Sequence, residues 1–127
     1  MTDTEIKNGL GQFCGTEGYH RWSILFPRVV LTDGAKWLAE NAGCYWLADA
    51  IASWQPKCRK DELLRGIQFW TLRVDAEKKN AVLICERDAG DEFLRQEIPY
   101  TDFPLPEVKL WVEACEDLMV ILLPGEH

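Results

Sequence analysis

The sequence predicts an α+β domain in which N-terminal helices pack on a mostly antiparallel sheet of about five strands. Three observations carry that expectation. Up to about Pro56, apolar residues recur at helical spacing between capping and helix-breaking residues. From Gly66 onward the apolar period changes to two, and short polar turns separate the alternating runs. The 127 residues contain no internal repeat, no low-complexity tract and no second apolar core, which fits one domain spanning 1–127.

Taken in order, residues 3–13 read as a short opening helix capped by Thr2 or Asp3, and CGTEGYH (14–20) as a loop. Trp22–Leu31 is apolar but interrupted by Pro27, so two short extended pieces are expected. LTDGAKWLAENAG starts a helix at Thr32 or Asp33 and ends it at Gly43, a residue suited to the left-handed turn after a helix. A second helix is expected from Cys44 to Gln55, stopped by Pro56, with a polar link over Pro56–Glu62. IQFWTLRV (67–74), AVLICER (81–87) and FLRQEI (93–98) follow as strands. In the first, Gln68, Trp70, Leu72 and Val74 share one face, opposite Ile67, Phe69, Thr71 and Arg73. PYTDFPLP (99–106) is a rigid crossing, and EVKLWVE and LMVILLP close the chain as a hairpin across ACED.

Hydrophobic residues make up 47% and charged residues 28%, the balance of a folded chain and not of a disordered one. The net charge of −7 is lopsided: residues 64–127 hold thirteen acids against seven bases. No direct nucleic-acid binding is expected, because phosphate neutralisation needs a positive face. An acidic face suits solubility or a partner with a basic surface. The N-terminal stretch carries no signal-peptide pattern, no apolar run is long enough to span a bilayer, and five cysteines without a CxxC pair suggest a reduced, cytoplasmic chain.

The stretch AGCYWLADAIASWQP (42–56) is the most chemically suggestive. On a helix, Cys44, Leu47, Ala50, Ile51 and Trp54 form an apolar stripe, with Tyr45, Asp49 and Ala52 opposite. Such a helix is apolar nearly all round and must be covered on more than one side. Asp49, its lone charge, needs either a structural partner, such as an arginine, an indole N–H or a backbone cap, or a role as recognition or acid–base group in a tryptophan-lined pocket. The only histidine before the last residue is His20, grouped with Glu17, Tyr19, Arg21 and Trp22, and Cys14 lies six residues upstream. Asp49, His20 and Tyr45 are the weak catalytic candidates. No metal-ligand spacing, phosphate-binding glycine loop or nucleophile elbow is present, so no metal and no cofactor is expected. Glu86, Asp88, Asp91 and Glu92 cluster around one hairpin and are the binding candidates, together with Tyr100 and Phe103 as anchors on a rigid edge.

The TDG helix start (Thr32–Gly34), the apolar helix ending in Ala52–Ser53 and IPYTDFPL (Ile98–Leu105) resemble a family of small uncharacterised bacterial proteins that carry a domain of unknown function. Such proteins occur on phages, plasmids and integrated elements, and the resemblance runs from about Gly15 to the C-terminal end. It implies no activity and no catalytic residue. It implies a setting, in which an accessory protein of a mobile element acts by binding host machinery. Three readings stand: an acidic protein-binding module that engages or inhibits a host protein, a small enzyme using Asp49 with His20 or Tyr45, and a structural homodimer.

Overall fold

The computed structural model describes residues 5–6 and 18–127. Glu5 and Ile6 are helical and Ile6 is buried in the core; the rest of the expected opening helix and Cys14 lie outside the described residues. The strands are β1 (Tyr19–His20), β2 (Val29–Thr32), β3 (Ile67–Asp75), β4 (Asn80–Asp88), β5 (Asp91–Ile98), β6 (Glu107–Cys115) and β7 (Leu118–Leu122). Three helices, α1 (Asp33–Asn41), α2 (Tyr45–Ser53) and the short α3 (Gln55–Cys58), lie between β2 and β3.

The architecture is α+β, but the sheet is larger than expected. Seven strands run in the order β1-β2-β7-β6-β3-β4-β5. All neighbours are antiparallel except β2 and β7, which pair in parallel through Val29–Met119, Val30–Val120 and Leu31–Ile121. The helices are mid-chain and not N-terminal, because two strands precede them. β2 and β3 run in the same direction, so α1–α3 form the crossover between them, and the β6–β7 hairpin fills the gap that the crossover spans.

Alternation decides what the helices cover. Gln68, Trp70 and Leu72 of β3 are buried on the helix side, flanked in register by Leu83 and Cys85 of β4 and by Val108, Leu110 and Val112 of β6. On α2 the buried residues are Leu47, Ala48, Ile51 and Ala52. The stripe is therefore turned from the expected one: Ala52 is 2% exposed instead of facing away, while Ala50 and Trp54 are half-buried. Small alanines let the helix lie close to the sheet, and the bulky indoles take the flanks. The second cover expected for α2 comes from its own chain, since Trp22 and Phe26 pack against the core beside it. Pro56 does not end the helical region. It sits in the first turn of α3, where its missing N–H costs nothing.

Two polar locks hold the layers. In the first, Gln55 and Gln68 face each other as a reciprocal amide pair: Gln55 Nε2 donates to Gln68 Oε1 at 2.9 Å and Gln68 Nε2 to Gln55 Oε1 at 2.8 Å. The Trp70 indole N–H also donates to Gln68 Oε1 at 2.9 Å, and the second amide protons go to the carbonyls of Ile51 and Leu64. Buried amides are tolerated here because every donor is used. In the second, the buried Glu126 carboxylate accepts from the Thr32 hydroxyl (2.6 Å) and from the backbone N–H groups of Gly34 and Leu123 (both 3.0 Å). Thr32 caps α1, accepting from the Ala35 N–H, so the chain's last residues supply an anion at a helix N-terminus. Gly34 is required there, since a Cβ would lie 2.5 Å from Glu126 Oε1.

Gln68→Leu is predicted to lower unfolding free energy by at least about 2 kcal/mol, because it strands the Trp70 N–H and the Gln55 amide. Gly34→Ala is predicted to cost about 1–3 kcal/mol by pushing Glu126 off its donors. Urea denaturation measures both, and a loss below about 0.5 kcal/mol for either contradicts the corresponding lock.

Candidate functional site

Of the three weak catalytic candidates, Tyr45 and Asp49 stand one turn apart on α2, and His20 is on β1. His20 Nε2 lies 2.7 Å from Asp33 Oδ1, joining β1 to the start of α1. Tyr45 donates its hydroxyl to Glu40 Oε1 at 3.4 Å, and burial with that carboxylate alongside raises its pKa above the ordinary tyrosine value. Asp49 is exposed on α2 and accepts the Trp22 indole N–H at 2.8 Å. Its partner is thus an indole from the covering segment, and the bond pins Trp22, whose ring lies tilted at 6.4 Å from Phe26, over the helix. Each candidate is hydrogen-bonded to a different neighbour. Cys44, Cys58 and Cys85 are buried, and burial pushes the Cys44 thiol up to about 12, so it behaves as a small apolar side chain. Among the described residues no group of three or more His, Cys, Asp or Glu is placed to hold a metal ion. No described helix is long and apolar enough to cross a membrane.

The four acids do come together, at the turn joining β4 to β5, where Gly90 takes φ +81° and the register slips around Glu86 and Asp88. The structure then divides them. Asp91 pairs with Arg87 at 3.2 Å, and Arg87 also binds Asp61 at 2.8 Å with its guanidinium 4.7 Å from the Phe93 ring centroid. Glu92 pairs with Arg95 at 2.7 Å, and that bond holds its carboxyl below the usual glutamate range. Glu86 and Asp88 have no cation partner among the described residues. Glu86 accepts the Gly90 N–H and Asp88 the Ala89 N–H, both at 2.8 Å, which leaves their negative charge uncompensated.

Those two acids border an open cleft of about 420 Å³ on the face of the sheet opposite the helices, shared with Phe69, Thr71, Lys109 and Trp111. Phe69 and Trp111 are register partners across β3 and β6, and their rings meet edge to face at 5.1 Å. The His127 ring lies 5.1 Å from that of Trp111, and His127 Nε2 is 3.3 Å from Glu113. The same face continues into a larger depression of about 690 Å³ between Arg73, Val82, Arg95 and Glu97. Its arginines are already neutralised by Glu107 and Glu92. Of the two expected anchors, Tyr100 is 67% exposed, whereas Phe103 is 5% exposed and pins the crossing to the core. The aromatic floor escaped sequence reasoning about the site, although Phe69 was already placed on the outward face. What was missing was the β3–β6 register that brings Trp111 beside it.

Arg87 holds the Asp61 carboxyl below its ordinary range. A lowered carboxylate stabilises the fold above its unfolded pKa and loses that contribution as the pH falls through its folded value. Asp61→Asn is therefore predicted to lose less stability than the wild type on acidification below about pH 4. Parallel pH–stability curves for the two proteins contradict the pairing.

Comparison with family models matches residues 4–127 to a family of unknown function. No curated protein and no solved structure matches the chain. A match of that extent covers every element that builds the cleft, and the chain belongs to DUF6876, a family of unknown function.

Proposed function

We propose that this chain is a protein-binding module whose helix-free sheet face holds a basic segment of a partner protein. One observation carries the reading: Glu86 and Asp88, the two hairpin acids without a cation partner, stand beside the exposed edge of the Phe69–Trp111 pair in a single cleft. Arginine or lysine side chains suit such a place. Their charge meets the carboxylates in charge-assisted hydrogen bonds, and their alkyl or guanidinium portion lies on the aromatic surface. Lys109 on the opposite wall repels a second cation and so favours a segment that enters from the hairpin side. In the setting of a mobile-element accessory protein, the partner is a host or element-encoded protein with a positively charged surface, of the sort that otherwise holds nucleic acid. The enzymatic alternative has no comparable support, because His20, Tyr45 and Asp49 are each already hydrogen-bonded to another side chain, Asp33, Glu40 and Trp22.

Binding of a fluorescein-labelled oligoarginine peptide, followed by anisotropy across a salt series, tests the reading. Glu86→Lys with Asp88→Lys is predicted to weaken binding at least about tenfold, and Trp111→Ala by a similar factor. Asp91→Asn with Glu92→Gln should change it less than about threefold, since those acids already serve Arg87 and Arg95. Equal effects of the two double variants, or indifference to Trp111→Ala in a folded protein, would show that the peptide senses net charge and not this cleft.

A further inference from the structure

A second surface carries the opposite charge. Ile24 and Leu25, in the segment between β1 and β2, are 96% and 79% exposed and are the two most exposed large apolar residues of the described chain. They are not on a slack loop. The Leu25 N–H donates to Ser23 Oγ at 3.2 Å, the Val29 N–H to the Phe26 carbonyl at 3.1 Å, and Trp22 is tied to Asp49. Between this segment and the junction of α2 with α3 runs a cleft of about 540 Å³, with Leu25, Phe26 and Pro27 on one wall and Ala52 and Pro56 on the other. Arg28 and Arg59 line it. Neither has a carboxylate partner among the described residues, whereas Arg73, Arg87 and Arg95 on the sheet are each paired.

We infer that this cleft on the helix side is a docking site for an acidic amphipathic segment of a partner protein, with apolar side chains against Leu25 and Pro56 and carboxylates on Arg28 and Arg59. The preformed turn presents the apolar residues without an ordering cost, as a recognition surface requires. Two arginines without a carboxylate partner among the described residues, at an apolar cleft, select against most basic partners there and in favour of acidic ones. A concave site with two flanking arginines fits an inserted side chain better than a flat bilayer, and it lacks the extended positive stripe that a nucleic-acid backbone needs. The site is independent of the open sheet face, so either can fail alone.

Panning a random peptide library displayed on phage against the immobilised full chain tests the inference, with enriched peptides resynthesised for anisotropy. The expected result is enrichment of peptides combining Asp or Glu with large apolar residues. Their affinity should fall at least about tenfold in Arg28→Glu with Arg59→Glu and in Leu25→Ser, yet stay within about threefold in Glu86→Lys with Asp88→Lys. All of these residues except Glu86 are exposed, and circular dichroism checks that each variant is folded. Enrichment of basic peptides alone, sensitive to the Glu86 and Asp88 change, overturns this site while supporting the open face. So does the absence of any enriched peptide sensitive to the arginine change. Retention of the protein on phosphatidylglycerol vesicles, lost in Leu25→Ser, overturns it in favour of a lipid surface.

Discussion

The amide pair of Gln55 and Gln68 is the constraint on which the arrangement of the layers rests. Apolar packing alone would let a helix slide along a sheet at modest cost, because dispersion and burial are not directional. Two buried amides and an indole N–H allow no such freedom: a shift strands several donors at once, each at about 1–3 kcal/mol. With Gln55 fixed over β3, its neighbours on the same turn are fixed over the far strands. Trp54 reaches Gln96 of β5 with its N–H at 2.7 Å, Cys58 is buried on the side of Cys85, and Lys57 lies between the rings of Trp54 and Phe93. The crossover is thereby anchored on β3, β4 and β5, while Glu126 anchors its beginning through Thr32 and Gly34.

Because the helices are committed to one face, the other face is free to work. On it the antiparallel strands carry aromatic and charged side chains together, a mixture that neither a buried face nor a merely solvated one would select. Its charges are mostly settled internally, by Arg73 with Glu107 and Arg95 with Glu92. Charges without an ion-pair partner among the described residues stand at both candidate surfaces: Glu86 and Asp88 beside Phe69 and Trp111, and Arg28 and Arg59 beside Leu25. Uncompensated charge next to accessible apolar surface is the shared signature, with opposite sign at each place.

Much of this was legible in the sequence. The period-two runs located β3 to β7 within a residue or two, the Thr32 cap and Gly43 bounded α1, and the alternation in β3 put Gln68, Trp70 and Leu72 on one face. Of the two N-terminal strands, β2 falls in the short extended piece expected after Pro27, whereas β1 lies in the stretch read as a loop, two residues being too few for a period to show; the pairing of β2 with β7, some ninety residues away, was not legible either. The rotation of α2 was missed because an apolar helix gives no polar face to orient it. Of the candidate site, the acids were legible as a cluster, but their division into paired and unpaired depends on where Arg87 and Arg95 reach. Phe103 and Tyr100 read alike in sequence, and only the fold buries one and exposes the other.

The tryptophan indoles make the open-face assignment directly measurable. Proton–nitrogen correlation spectra of the labelled protein, recorded during titration with the oligoarginine peptide, resolve the six indole signals separately. The open-face assignment predicts that the Trp111 indole and the backbone amides of Phe69, Glu86 and Asp88 shift together and saturably. The indoles of Trp70, Trp54 and Trp22, held by Gln68, Gln96 and Asp49, should stay in place. Shifts concentrated on Trp22 and Trp54, with Trp111 unmoved, would place binding on the helix side and contradict it.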